Sequence, residues 1–263
     1  MSRRPLFFAL PLATGALFVL AWYGIHHALS EDLKFLLPTP GAVIEATREN
    51  AAALGTATLN TTIGALLGFL LAVVISAGFA LLLSLSPWVR ASLYPYLMAL
   101  QMTPVIVVAP ILVLWVGAGI KSVVVITFLI CFFPMVVNST QGLLSADQKL
   151  VELFRMWRTS RLEQLRYLRI PAALPYFFTG ARIAATLAPI GALVGDYTAG
   201  SSAGDGGGLG FQAVIYSSQA KYPALFATAA VTCVLGFLFV AIVVVLSSLT
   251  LRNWHDSYER RDR

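Results

Sequence analysis

Residues 145–175, SADQKLVELFRMWRTSRLEQLRYLRIPAALP, hold the side chains with the clearest chemical capacity in this chain. Arg155, Arg158, Arg161, Arg166 and Arg169 stand there with Lys149 and Glu152 among apolar residues at helical spacing, and the segment closes on Pro171 and Pro175 before a new hydrophobic run. A short amphipathic helix of this kind fills a groove on a partner with its apolar residues and makes charged contacts around it. The island therefore reads as the place where the chain meets a soluble partner, and from which it is driven or gated. The alternative keeps the arginines as solvated charges that hold the loop at a lipid surface.

The rest of the chain offers little reactive chemistry. A phosphate-cradling loop needs Gly-Lys-Ser/Thr before a helix, but Gly117-Ala118-Gly119-Ile120-Lys121-Ser122 has Ile120 where that glycine belongs, and Gly204-Asp205-Gly206-Gly207-Gly208-Leu209-Gly210 has no following lysine. No serine, histidine and carboxylate constellation points to an enzyme. Cys131 and Cys233 fall in apolar runs and read as small buried residues. His26, His27 and His255 are too scattered for a metal site. No metal and no cofactor are expected in this chain. Gln101, Thr103, Asn138, Thr186 and Asp196 are candidates to line a solute pathway, with an interhelical hydrogen bond as the alternative for each. Only Arg182 and Asp196 bring charge toward span depth, each near an end, whereas ion-coupled carriers use buried carboxylates or histidines near the midplane.

The elements that must position these groups follow from composition. With 58% hydrophobic residues, 11% charged residues and a mean hydropathy of +0.81, the chain lies outside the soluble globular range. A spanning helix takes roughly 20 apolar residues, and runs at 6–29, 57–84, 93–116, 122–144, 175–198 and 223–250 qualify. They are too long and too unalternating for barrel strands. The expected fold is an all-α integral membrane bundle of six transmembrane helices, forming a single transmembrane domain over 1–263. The first run follows Arg3 and Arg4 but is long for a signal peptide and lacks a small-x-small cleavage site, so it reads as a retained span. Small residues recur every fourth position at Gly64, Gly68, Ala72, Ser76 and Ala80, and again at Gly180, Ala184, Ala188 and Ala192 before Asp196. Such faces allow close helix packing; a pathway-lining face is the other reading. Pro104, Pro110, Pro134 and Pro189 mark possible hinges.

Six spans put both termini on one side. That side holds Arg3, Arg4, Arg90, Lys149, the five arginines of the island, Arg252, Arg260, Arg261 and Arg263, against Lys34, Arg48, Lys121 and Lys221 on the other. Basic loops stay cytoplasmic, so both termini and the island are expected there. The net charge of +6 is then a matter of topology and anionic lipid, and a nucleic-acid partner is not expected.

The island also resembles a known element. Glu152, a position six residues on where a glycine is expected, and Ile170-Pro171 with Pro175 are similar to the coupling (EAA) loop of bacterial ABC importer permeases. Leu37-Pro38-Thr39-Pro40, Ala109-Pro110, Leu114-Trp115-Val116-Gly117, Phe132-Phe133-Pro134, Ala172-Ala173-Leu174-Pro175-Tyr176, Gly195-Asp196 and Gly208-Leu209-Gly210 extend the likeness over nearly the whole chain. Together they resemble the nitrate/sulfonate/taurine-type branch, and within it permeases for the pyrimidine precursor of thiamine.

The resemblance implies a type I importer fold in the bacterial inner membrane. It implies a homodimer, two cytoplasmic ATPase subunits that use ATP and Mg, and an external solute-binding protein. On that footing a helix from about Lys149 to Trp157 seats Leu150, Leu153, Phe154 and Trp157 in the ATPase, with Glu152, Arg155 and Arg158 making charged contacts and Ser160 and Pro171 completing the loop. Four positions depart from the family pattern. Leu153 and Phe154 replace the usual alanines and Arg158 the usual glycine, so either the turn after the helix differs or the helix runs on. Asp196 stands where glutamate is usual. The competing solutes are sulfonates, taurine or nitrate; the competing classes are an ion-coupled carrier and a channel.

Overall fold

The computed structural model describes residues 4–200 and 207–255, with side chains over 10–200 and 207–251. The expectations that rest on Arg3, Arg4, Gly204 to Gly206, Arg252, His255 and the arginines from 260 onward lie outside the described residues or side chains. Among the described residues the chain is helical throughout and has no strand.

Helix α1 covers Arg4–Ala28, and a 3-10 turn Glu31–Leu36 leads to α2, Pro40–Glu49. The Leu37-Pro38-Thr39-Pro40 string is the joint between them. Thr39 Oγ1 accepts from the Ala42 amide at 3.2 Å with Pro40 in the first helical turn, while Trp22 Nε1 donates to the Pro38 carbonyl at 2.9 Å. Next come α3, Ala51–Leu85; α4, Pro87–Gln101; α5, Val105–Val116; and α6, Ile120–Leu144. The basic island forms α7, Gln148–Met156, and α8, Arg161–Gln164, which runs through a π-helical turn, Leu165–Arg169, into α9, Ile170–Ala199. Two further helices close the chain, α10 at Leu209–Ser218 and α11 at Tyr222–His255.

Among the described residues four helices are long and apolar enough to cross a membrane: Ala51–Leu85, Ile120–Leu144, Arg161–Ala199 and Tyr222–Leu251. They match the expected runs at 57–84, 122–144, 175–198 and 223–250. The run at 93–116 is different, because α4 and α5 meet at a 99° bend. Its cause is local. Pro104 carries no amide hydrogen and disfavours helical backbone at Thr103, so the chain breaks between Met102 and Pro104. At 1.5 Å per residue, the 15 residues of α4 and 12 of α5 reach about 22 and 18 Å, each short of the roughly 30 Å hydrocarbon core. The other three candidate hinges, Pro110, Pro134 and Pro189, sit inside unbroken helices.

The core is the contact among α3, α6 and α9, and the small-residue stripes make it. Ala72, Ser76, Ala80, Ala184, Ala188 and Ala192 have no exposed surface. A Cβ on Gly68 would stand 2.5 Å from Thr127 Cβ, and one on Gly191 2.9 Å from the Thr127 backbone. The helices thus approach at backbone distance on both sides of α6, which is the close-packing reading of these stripes. The opposite faces keep large apolar residues outward, among them Leu66, Val74, Phe237 and Leu249, as a helix in lipid requires.

Chain direction sorts the ends. The C-termini of α3 and α6 and the starts of α4 and α9 share one end with the island, so Arg90, Lys149 and the five island arginines gather there. Lys34, Arg48, Lys121 and Lys221 lie at the other.

Candidate functional site

Helix α7 is shorter at its C-terminus than expected by one residue. Asp147 Oδ1 accepts from the Lys149 amide at 2.9 Å and starts it. Val151, 4% exposed, and half-buried Phe154 point back into the protein, where they pack with Ala146, Leu168 and Ala172. Leu150 and Leu153 are each 44% exposed, Trp157 is 78% exposed, and Glu152 and Arg155 are exposed beside them. Phe154 is therefore a correction to the expected outward set: it fastens the helix to its own spans. What remains outward is a patch of Leu150, Leu153 and Trp157 flanked by one carboxylate and guanidinium groups.

The turn after α7 answers the question raised by Arg158. The helix stops, and Arg158 adopts φ +52°, the left-handed conformation that favours glycine. The Arg158 amide donates to the Arg155 carbonyl at 2.9 Å and the Thr159 amide to the Phe154 carbonyl at 3.2 Å, the paired bonds of a Schellman cap. An arginine thus stands in a strained position that favours glycine. Arg158→Gly is expected to raise the stability of the loop by about 1 kcal/mol, net of the flexibility glycine adds to the unfolded chain. Hydrogen exchange at the Thr159 amide, slower in the variant, is the check; faster exchange would mean that Arg158 gains more from contacts than it loses to strain.

Ser160 caps α8 in a capping box. The Glu163 amide donates to Ser160 Oγ at 3.2 Å and the Ser160 amide donates to Glu163 Oε2 at 2.6 Å. Its work in the structure is to restart the chain after the turn. Pro171 and Pro175 do not close the loop as expected but lie in the first turns of α9. The preceding π-turn admits them: the Ile170 amide donates to the Leu165 carbonyl five residues back, and a widened turn gives room for the ring of Pro171, which has no amide hydrogen to donate.

The five candidate pathway residues do not converge. Gln101 and Thr103 are exposed at the α4–α5 break. Asn138 is half-buried on α6 and donates through Nδ2 to the Pro134 carbonyl at 2.8 Å. Thr186 is exposed on α9, in a row with Thr179, Arg182, Ile190 and Tyr197 at intervals of three, four and seven residues. That row is an outward stripe on a packed span, and spacing on its own did not separate it from the buried stripe beside it. Arg182 reaches across to α11, donating from Nη2 to Ser247 Oγ at 2.7 Å.

Asp196 is the fifth, and it faces inward. It is 4% exposed; Thr61 Oγ1 donates to its Oδ2 at 2.6 Å, the Gly210 amide donates to its carboxyl group, and Thr61 Oγ1 accepts from the Leu209 amide at 2.8 Å. The side chains of α9 and α3 thus jointly cap the N-terminus of α10. Gly208 and Gly210 permit the approach, since a Cβ on the first would stand 1.9 Å from Asp196 Oδ2 and on the second 2.3 Å from the Leu193 carbonyl. The glycine-rich string is a helix start docked on a carboxyl group. The other glycine string makes the α5–α6 turn, with Gly117 at φ +92° and Gly119 at φ +93°.

Comparison with known proteins gives the family. Residues 49–261 match the binding-protein-dependent transport system inner membrane component. The formylaminopyrimidine transport permease of Halalkalibacterium halodurans is 35% identical over 218 residues, covering 82% of this chain and 85% of that one. A riboflavin transport system permease of Chloroflexus aurantiacus is 34% identical, covering 65% and 61%, and a putative aliphatic sulfonates permease of Bacillus subtilis 29% identical, covering 74% and 68%. An all-helical bundle, a basic loop held on two of its spans and a family match over most of its length make this chain a permease subunit of an ABC importer, a member of the binding-protein-dependent transport system inner membrane components.

Proposed function

We propose that this permease passes a small heterocycle of the thiamine pyrimidine precursor kind from an external binding protein into the cytoplasm, driven by ATPase subunits seated on α7. The observation that carries the drive is the division of α7 into two faces. Val151 and Phe154 bind it to the spans through Leu168 and Ala172, while Leu150, Leu153, Trp157, Glu152 and Arg155 stay outward. A partner that moves this patch moves α6 and α9 with it. ATP and Mg belong to the partner, and this chain supplies no nucleotide site and no metal. Two permease copies and two ATPase subunits complete the assembly.

The pyrimidine solute rests on the relative that shares 35% of residues across 85% of its length. Orientation rests on charge: Arg90, Lys149 and the five island arginines at one end against four basic residues at the other support a cytoplasmic side for the island, and for both termini, in a bacterial inner membrane.

Two measurements test this reading. The tagged chain, extracted from its native membrane in mild detergent, is expected to bring an ATPase subunit with it, and cells deleted for the chain are expected to lose uptake of labelled formylaminopyrimidine. Recovery of the chain alone with uptake unchanged would reject it. Loss of taurine uptake with pyrimidine uptake intact would move the solute to the sulfonate class.

A further inference from the structure

At the island end of the bundle, four arginines converge on one cavity of about 380 Å³. Arg90 comes from the first turn of α4, Arg155 from α7, Arg161 from α8 and Arg169 from the π-turn. Arg90 and Arg169 are half-buried, and none of the four is ion-paired with a carboxylate among the described residues. Four like charges around one space, two of them partly withdrawn from water, repel each other and pay desolvation unless an anion sits between them.

The cavity does not end at the charges. It shares Pro87, Arg90 and Leu144 with an adjoining groove of about 490 Å³ between α4 and α6, lined by Ala91, Tyr94, Pro95, Val137 and Gln141. Val137 lies seven residues before Leu144, so the groove descends about 10 Å toward the middle of the bundle at 1.5 Å per residue. Thr140, 2% exposed, also lines it, and its hydroxyl has no hydrogen-bond partner. A polycationic cup at the level where the spans end, opening into a mostly apolar trough along them, has the two-part shape of one molecule class.

We propose that this site binds an anionic phospholipid, with the phosphodiester headgroup among Arg90, Arg155, Arg161 and Arg169 and an acyl chain in the α4–α6 groove. A free phosphate would satisfy the arginines but leave the groove without an occupant. An acidic segment of a protein would fit the charges and not the apolar trough. Since α7 and α8 supply two of the four arginines, the lipid joins the docking loop to the start of α4 and couples loop position to the lipid beside it.

Native mass spectrometry of the purified full-length chain, supplied with equal amounts of dioleoyl phosphatidylglycerol and dioleoyl phosphatidylcholine, tests the proposal. Wild type is expected to retain phosphatidylglycerol in preference. Each arginine removed near an anionic lipid surface is expected to cost about fivefold, so Arg90→Gln with Arg169→Gln should weaken retention on the order of twentyfold. Arg48→Gln and Lys121→Gln, at the other end, should leave it unchanged. Val137→Trp, which fills the groove and keeps every charge, should also reduce retention. Should the double variant not fold, Arg161→Gln on the exposed rim gives the same reading at about fivefold. Equal retention of the two lipids, or a preference indifferent to both sets of variants, would overturn the proposal. So would displacement of phosphatidylglycerol by inorganic phosphate with Val137→Trp silent, which would assign the arginines to a soluble anion.

Discussion

Alanine at both Leu153 and Trp157 is expected to give a folded, membrane-inserted permease that no longer retains an ATPase subunit and no longer transports. Both side chains are outward on α7, at 44% and 78% exposure. An exposed tryptophan on a docking helix is the residue type that dominates interface energy, at about 2 kcal/mol or more on truncation, and a central leucine adds to it. A combined loss of about 4 kcal/mol is a thousandfold in affinity. Thermal unfolding in detergent should be unchanged within a few tenths of a kcal/mol, as for surface substitutions generally.

Phe154→Ala is the contrasting variant. Its ring packs on Val151, Leu168 and Ala172, so it should lower thermal stability and loosen coupling together, by about 2 kcal/mol for a half-buried ring. The pair of variants separates the two faces of the helix: one loses the partner with the fold intact, the other loses the hold of the spans on the helix. An ATPase retained at wild-type levels by the Leu153, Trp157 double variant would place docking elsewhere on the loop.

Phe154 also shows where sequence reasoning stopped. The island carries apolar residues at 150, 151, 153, 154 and 157, enough to fill either face of one short helix. Which face turns inward is decided by Leu168 and Ala172, which the π-turn and the start of α9 bring beneath α7, and no local spacing reveals that. The spans were legible because an apolar run of the right length admits few alternatives in lipid. At 93–116 the apolar run masked the break; Thr103-Pro104 was the signal, a residue barred from helix beside one without an amide. The Ser160–Glu163 capping box was readable as Ser-x-x-Glu, yet its role is internal to the loop. Asp196 was found by its charge and its hydrogen-bond partners were not, because they lie 135 residues upstream at Thr61 and across the next helix start at Gly210.

Asp196→Ala is expected to destabilise the permease by about 3 to 5 kcal/mol, seen as a fall in its unfolding temperature. The substitution leaves the Thr61 hydroxyl and the Gly210 amide buried without an acceptor, and each such group costs about 1–3 kcal/mol. Asp196→Asn keeps one acceptor oxygen at the same reach and should lose about a third as much. Thr61→Val should reproduce much of the alanine effect, because it removes the donor to Asp196 and the acceptor for the Leu209 amide together. In a double-mutant cycle the two sites should show an interaction energy of roughly 1–3 kcal/mol, as for residues sharing one hydrogen-bond network. Gly208→Ala should fail by sterics, its Cβ falling 1.9 Å from Asp196 Oδ2, and should be partly rescued by Asp196→Ala, which vacates that space. A solute-contacting Asp196 would behave otherwise. Its asparagine variant would change uptake with the unfolding temperature unmoved, Thr61→Val would be nearly silent, and no glycine variant would be rescued. The two sets of outcomes share no member, so the same four variants decide whether the buried carboxyl group fastens α10 to the bundle or belongs to the solute's route.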